Sequence, residues 1–97
     1  MREAYVLSAL AQEDREEIFR TIAEDDLETA LRVDGELEKV LLRLAAHPRI
    51  GHRRRDLLPS RFRVWPFYSY LVIYKPETAP LEIVRIWHGA QRRPSLV

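Results

Sequence analysis

Residues 61–87, RFRVWPFYSYLVIYKPETAPLEIVRIW, read as three consecutive strands, and that reading decides the fold. Phe62 and Val64 alternate with Arg61, Arg63 and Trp65. Leu71 and Ile73 alternate with Tyr70, Val72 and Tyr74, and Val84 and Ile86 with Ile83, Arg85 and Trp87. A period of two sends successive side chains to opposite faces of a sheet, and β-branched and aromatic residues suit a half-buried pleated surface. Pro66 with Phe67 breaks the first strand from the second, and KPETAP (Lys75–Pro80) is short enough for a hairpin. Three antiparallel strands are expected. If their aliphatic faces all meet one packing partner, the opposite face gathers Arg61, Arg63, Trp65, Tyr70, Tyr74, Arg85 and Trp87.

The packing partner lies upstream. EAYVL (Glu3–Leu7) is a short β-forming stretch, and Ser8 after it has the chemistry of a helix N-cap. Ala11, Ile18, Phe19, Ile22 and Ala23 then follow at helical spacing, with Glu13, Asp14, Glu16 and Glu17 in the first turns, where the helix dipole favours carboxylates. Arg15 falls on the apolar stripe and is expected to extend its head to solvent. Asp25 and Asp26 interrupt this helix and can cap the next, with Glu28 at capping-box distance from Asp25. Ala30, Val33, Leu37, Val40, Leu41 and Leu44 mark the apolar face of a second helix. Gly35 costs that helix about 1 kcal/mol relative to alanine, which a close approach of another element would explain. Pro48 stops the helix and Gly51 marks a turn. The expected architecture is α+β. An N-terminal strand and an antiparallel helical hairpin precede three antiparallel strands, and the strands form one sheet with the helices on one face.

A chain of 97 residues has enough surface to bury for one domain, 1–97, and not for two. With 46% hydrophobic and 32% charged residues it is globular in composition. It has no cysteine, which excludes a disulfide framework and thiolate zinc sites. No apolar run approaches the roughly 18 residues of a membrane span, and the first ten residues lack a signal-peptide pattern, so a cytoplasmic protein is expected. The net charge of +1 conceals an asymmetry: residues 1–46 hold six basic and twelve acidic side chains, and residues 47–97 hold ten basic and three acidic. A basic working surface therefore belongs to the second half.

Guanidinium groups among aromatic rings on an open sheet face suit a nucleic acid or an acidic peptide, although an ordinary solvated face has the same composition. Arg53, Arg54 and Arg55 form a run ahead of the strands, and Asp56 beside them can pair with one and blunt the patch. His88 is a candidate acid or base, or a hydrogen-bonding residue at the core margin. His47 and His52 have no partner at ligand spacing, so no metal is expected.

The order of elements, with the residues at their joints, resembles the ParE/RelE toxin superfamily, the toxin halves of type II toxin–antitoxin modules. The similarity runs through YVLSALAQEDREEI (Tyr5–Ile18), LLRLAAHPRIG (Leu41–Gly51) and YLVIYKP (Tyr70–Pro76). It ends in RIWHGAQRRP (Arg85–Pro94), the most specific piece, whose His-Gly and Pro94 are closer to the ParE, or plasmid-stabilisation, branch. Two departures stand out: Arg15 in place of a leucine, and Gln91, Arg92 and Arg93 in a tail that usually reads Arg-Arg-Asp or Ala-Arg-Asp.

The ParE resemblance implies a growth-arresting poison of DNA gyrase that performs no bond chemistry and needs no cofactor. The RelE branch implies a ribosome-dependent messenger RNA endoribonuclease, for which Arg61, Arg63 and Arg85 would hold the scissile phosphate and His88 would move a proton. A degenerate member that binds without toxicity is a third possibility. All three imply a cognate antitoxin, expected to be of ribbon–helix–helix type with an acidic and aliphatic C-terminal segment. The residues expected to meet antitoxin or target are Arg53, Arg54, Arg55, Arg61, Arg63, Trp65, Tyr70, Tyr74, Arg85, Trp87, Arg92 and Arg93.

Overall fold

The computed structural model describes residues 3–89 and 94–96. Ser8 does what its position implies: its hydroxyl accepts from the Ala11 amide at 3.0 Å and donates to the Val84 carbonyl at 2.7 Å. One side chain thus caps α1 (Ala9–Asp25) and ties it to the sheet that begins with β1 (Tyr5–Leu7). A single extended residue, Asp26, separates α1 from α2 (Leu27–Ala46). Its carboxylate accepts from the Thr29 hydroxyl and from the Thr29 and Glu28 amides, which hold it below the ordinary aspartate range. Asp25 is still helical, so the cap falls one residue later than a capping box from Asp25 would put it. Arg15, instead of reaching solvent, donates to Asp34, Glu38 and the Tyr5 hydroxyl. This contact folds the two helices back on each other as the expected antiparallel pair.

β2 (Arg63–Phe67), β3 (Tyr70–Lys75) and β4 (Leu81–His88) pair antiparallel, and β1 joins β4 in parallel. The strand order among the described residues is β1–β4–β3–β2. Two boundaries differ from expectation. Arg61 and Phe62 precede the first of the three strands, and Pro66 lies inside β2 instead of ending it. β2 is an edge strand, where a missing amide need cost no ladder bond. The turn falls at Tyr68 and Ser69, with Tyr68 in the left-handed region at φ 54°.

The larger difference is which face meets the helices. Arg63, Tyr74 and Ile83 align across three strands, as do Trp65, Val72 and Ile86. This face packs against Ala11, Ile18, Val33, Leu37, Leu41 and Leu44 of the helical hairpin. Trp65, Tyr70 and Tyr74 therefore lie on the helix side and not on an open face. Large rings bring more apolar area to the main core than the aliphatic residues between them. Val64, Ile73 and Val84 form the other face, and it too is covered, by Leu58 and Phe62 with Leu57, Trp87 and Leu96 at the margin. A register shift between Ile73 and Tyr74 leaves Val84 as the extra residue of β4. That bulge is why strict alternation fails there: Ile83 and Ile86 share the helix side.

Tyr74 shows how the turn after α2 is held. It is fully buried, donates its hydroxyl to the Pro48 carbonyl at 2.7 Å and accepts from the Gly51 amide at 2.9 Å. A Cβ at residue 51 would run into the tyrosine ring and hydroxyl, so glycine is required. Gly35 is the opposite case: among the described residues a Cβ there would meet nothing within 4 Å, so the close approach expected at this glycine is not found.

Candidate functional site

β1 pairs with β4 only as far as Ile83, so the edge of β4 beyond that residue is left to α1. The Ser8 amide donates to the Ile83 carbonyl at 3.0 Å, and the Ile86 amide donates to Asp14 Oδ2 at 3.0 Å. The same carboxylate takes Arg85 through Nε and Nη2, both at 2.8 Å. Each side chain of this pair is only 13% exposed. A bidentate, charge-assisted pair is the strong form of this interaction, and Asp14 holds the guanidinium protonated above its ordinary pKa. Arg85 also donates to the Ser95 carbonyl, and its guanidinium lies 4.8 Å from the centroid of the Trp87 ring. Beside it opens a cleft of about 330 Å³, lined by Asp14, Glu17, Thr21, Tyr70, Trp87 and His88 among others. The His88 and Tyr70 rings meet edge to face at 5.2 Å.

The other arginines lie elsewhere. Arg63 is on the helix side, where it donates through Nη1 to the Gly51 carbonyl at 2.8 Å, and its buried Nε has no partner among the described residues. Arg61 is exposed and lies 4.8 Å from the Phe62 ring centroid. Arg53 donates to the Ser60 carbonyl and closes the loop between the helices and the sheet. Arg54 is held by both oxygens of Asp56, which raises its pKa, so Asp56 does blunt the run. Arg55 is exposed. Trp65 is flanked by the parallel ring of His52 at 5.9 Å and by the Arg43 guanidinium at 5.5 Å. Tyr74 is buried and offers nothing to a partner. Arg92 and Arg93 lie outside the described residues. Among those described, no three His, Cys, Asp or Glu residues are grouped to hold a metal ion, and no helix is long and apolar enough to cross a membrane.

The proposed site residues thus divide into three sets. Arg85, Trp87, His88 and Tyr70 come together with Asp14 at one end of β4, while Arg53, Arg54, Arg55 and Arg61 line the covering loop. Arg63, Trp65 and Tyr74 stay with the helix-side core. A family model described as "ParE toxin of type II toxin-antitoxin system, parDE" matches residues 5–93, nearly the whole chain. The chain belongs to the ParE toxin family. It is the toxin half of a type II toxin–antitoxin module, and a cognate antitoxin is its partner. A comparison with curated proteins finds no match.

For this ParE-family chain, two features escaped the sequence reading. Asp14 looks like any acidic residue early in a helix, although it lies in the second turn of α1, whose first turn holds no carboxylate, and only the short β1 exposes the β4 edge that gives it three donors. Leu57, Leu58 and Phe62 were hidden by the arginine run beside them; the signal was three large apolar residues within six positions of a supposed loop.

Proposed function

We propose that this toxin arrests growth by poisoning DNA gyrase through surface recognition, and that the antitoxin neutralises it by laying an acidic, aliphatic segment against the basic loop. The observation that carries this reading is the commitment of Arg85 to Asp14. Ribonucleolytic cleavage needs cations converging on one phosphate beside a proton-transfer group. Here Arg63 shares the helix side of the sheet with Tyr74, while Arg85 is in register with Ile73 on the other side. Arg85 is neutralised within the chain, and Arg61 stands off before β2. What is left accessible is a set of guanidinium groups on the loop, suited to a protein or acidic peptide surface rather than to bond making.

The test places purified toxin with gyrase and plasmid DNA, and in parallel with translating ribosomes and a defined message. Loss of supercoiling with accumulation of gyrase-linked, cleaved DNA is the expected result, with the message left intact. Message cut at the ribosome while gyrase stays fully active would overturn it.

A further inference from the structure

Among the described residues, four large apolar side chains are prominently exposed, and three of them are on α2: Leu27, Leu31 and Leu42, at 57%, 59% and 46%. At about 100° per residue they fall, with Gly35, in a sector roughly 80° wide on the outward side of the helix. Gly35 stands mid-helix between Leu31 and Leu42 with open space before it, so no packing among the described residues explains a residue that weakens the helix. Gly35 lies about midway along this stripe and at one edge of it, where a glycine lets a second backbone approach closely; Glu38, paired with Arg15, falls in the same sector.

We propose that α2 pairs antiparallel with α2 of a second copy of this chain, the two helices crossing at Gly35. The charges favour that occupant and that orientation. Glu28 lies toward the start of the helix, and Lys39 and Arg43 lie toward its end. Among the described residues, none of the three forms an ion pair within the chain. A two-fold axis through Gly35 places Glu28 of one copy between Lys39 and Arg43 of the other, and Leu27 beside Leu42. A parallel pairing in register would leave Glu28 roughly 16 Å along the axis from Lys39, and so without that partner. One helix crossing is small for an interface, so the association is reversible and depends on concentration.

The absence of cysteine makes the test direct. Gly35→Cys puts one thiol per chain at the proposed axis, where the structure has room for it. Under mild oxidation it is expected to give a covalent dimer, while Arg20→Cys on the exposed surface of α1 stays monomeric. In sedimentation velocity the unmodified toxin, freed of antitoxin, is expected to shift from monomer to dimer with concentration. Glu28→Lys weakens that dimer roughly tenfold, and adding Lys39→Glu and Arg43→Glu to it restores the affinity. A toxin that stays monomeric at every concentration overturns the proposal. So does cross-linking of Gly35→Cys no better than the control, a dimer indifferent to Glu28→Lys, or a stripe protected only when the antitoxin is bound.

Discussion

The two sides of the sheet are covered by different kinds of structure. On one side two long helices deliver Ala11, Ile18, Leu37, Leu41 and Leu44 to rings and aliphatic groups from all the strands. On the other an irregular loop delivers Leu58 and Phe62 to Val64, Ile73 and Val84. The helices satisfy their own backbone hydrogen bonds, so their side chains are free to pack. The loop has fewer such bonds, among them the His52–Val64 pair at 2.7 and 2.8 Å and the turn closed by Leu57 and Leu58 on the Arg54 carbonyl. The helix side therefore holds the fold, and the loop side is the part that can yield locally while the rest stays folded.

The largest expected effect tests this directly. Leu41→Ala removes a fully buried side chain against the sheet and should lower global stability by about 2–5 kcal/mol, read from denaturant midpoints at unchanged slope. Phe62→Ala removes a larger buried side chain but should lower global stability by less, because the loop can detach. Its main signature should be faster amide exchange at His52 and Val64. A uniform global loss as large as that of Leu41→Ala would erase the distinction between the sides.

Next in size is the link between the two sides, the Asp14–Arg85 pair. Asp14→Ala strands a largely buried guanidinium and leaves the Ile86 amide unpaired, which should cost about 2–4 kcal/mol. Arg85→Met likewise strands the Asp14 carboxylate, which keeps only the Ile86 amide, and should cost a comparable amount. The Asp14→Ala/Arg85→Met double variant should lose less than the sum of the two; strictly additive losses would mean that the pair contributes by packing rather than by charge.

These contrasts also show what the sequence could carry. The α+β order, the helical hairpin and the three antiparallel strands were legible because periods of 3.6 and 2, Ser8 as a cap and Pro48 as a stop are all local signals. The sidedness of the strands was not. Val64, Ile73 and Val84 look like a core and are one, but the rule that aliphatic residues face helices ignores the loop's own apolar residues. The bulge at Val84 shifts the alternation by one and leaves no mark in composition. For the candidate site, the residue types were legible and their commitments were not. Arg85 and Arg54 read alike as basic residues, yet their carboxylate partners lie 71 and 2 positions away.

A smaller effect is expected at Tyr74, where the helix side meets the turn that leads into the loop. Tyr74→Phe leaves the Pro48 carbonyl and Gly51 amide without their partner and should cost about 1–3 kcal/mol. Burial raises the Tyr74 pKa. Its contribution is therefore complete below the unfolded tyrosine value near pH 10 and is lost as pH rises above it, because the unfolded chain ionises first. The phenylalanine variant should lose stability less steeply above that pH. Burial also raises the Tyr5 pKa, but Tyr5 is common to both proteins, so the difference in slope isolates Tyr74.

The smallest stability effect, and the sharpest contrast with Asp14, belongs to Asp56. Its pair with Arg54 is exposed, at 40% for the arginine and 64% for the aspartate side chain. Water and salt screen such a pair, and exposed pairs contribute about 0–1 kcal/mol at most. Asp56→Asn should leave the denaturation midpoint within about 0.5 kcal/mol of the original. It also frees Arg54 and adds one positive charge to the loop beside Arg53 and Arg55. If that loop receives the acidic antitoxin segment, association at low salt should quicken and its salt dependence steepen, because long-range attraction acts mainly on the encounter rate. Stopped-flow mixing of toxin and antitoxin at two or three salt concentrations measures both quantities. Asp14→Ala should show the reverse pattern, a large loss of stability with little change in the salt slope. An Asp56→Asn toxin whose stability falls while its association rate stays unchanged would mean that this aspartate holds the loop in place and does not tune its charge.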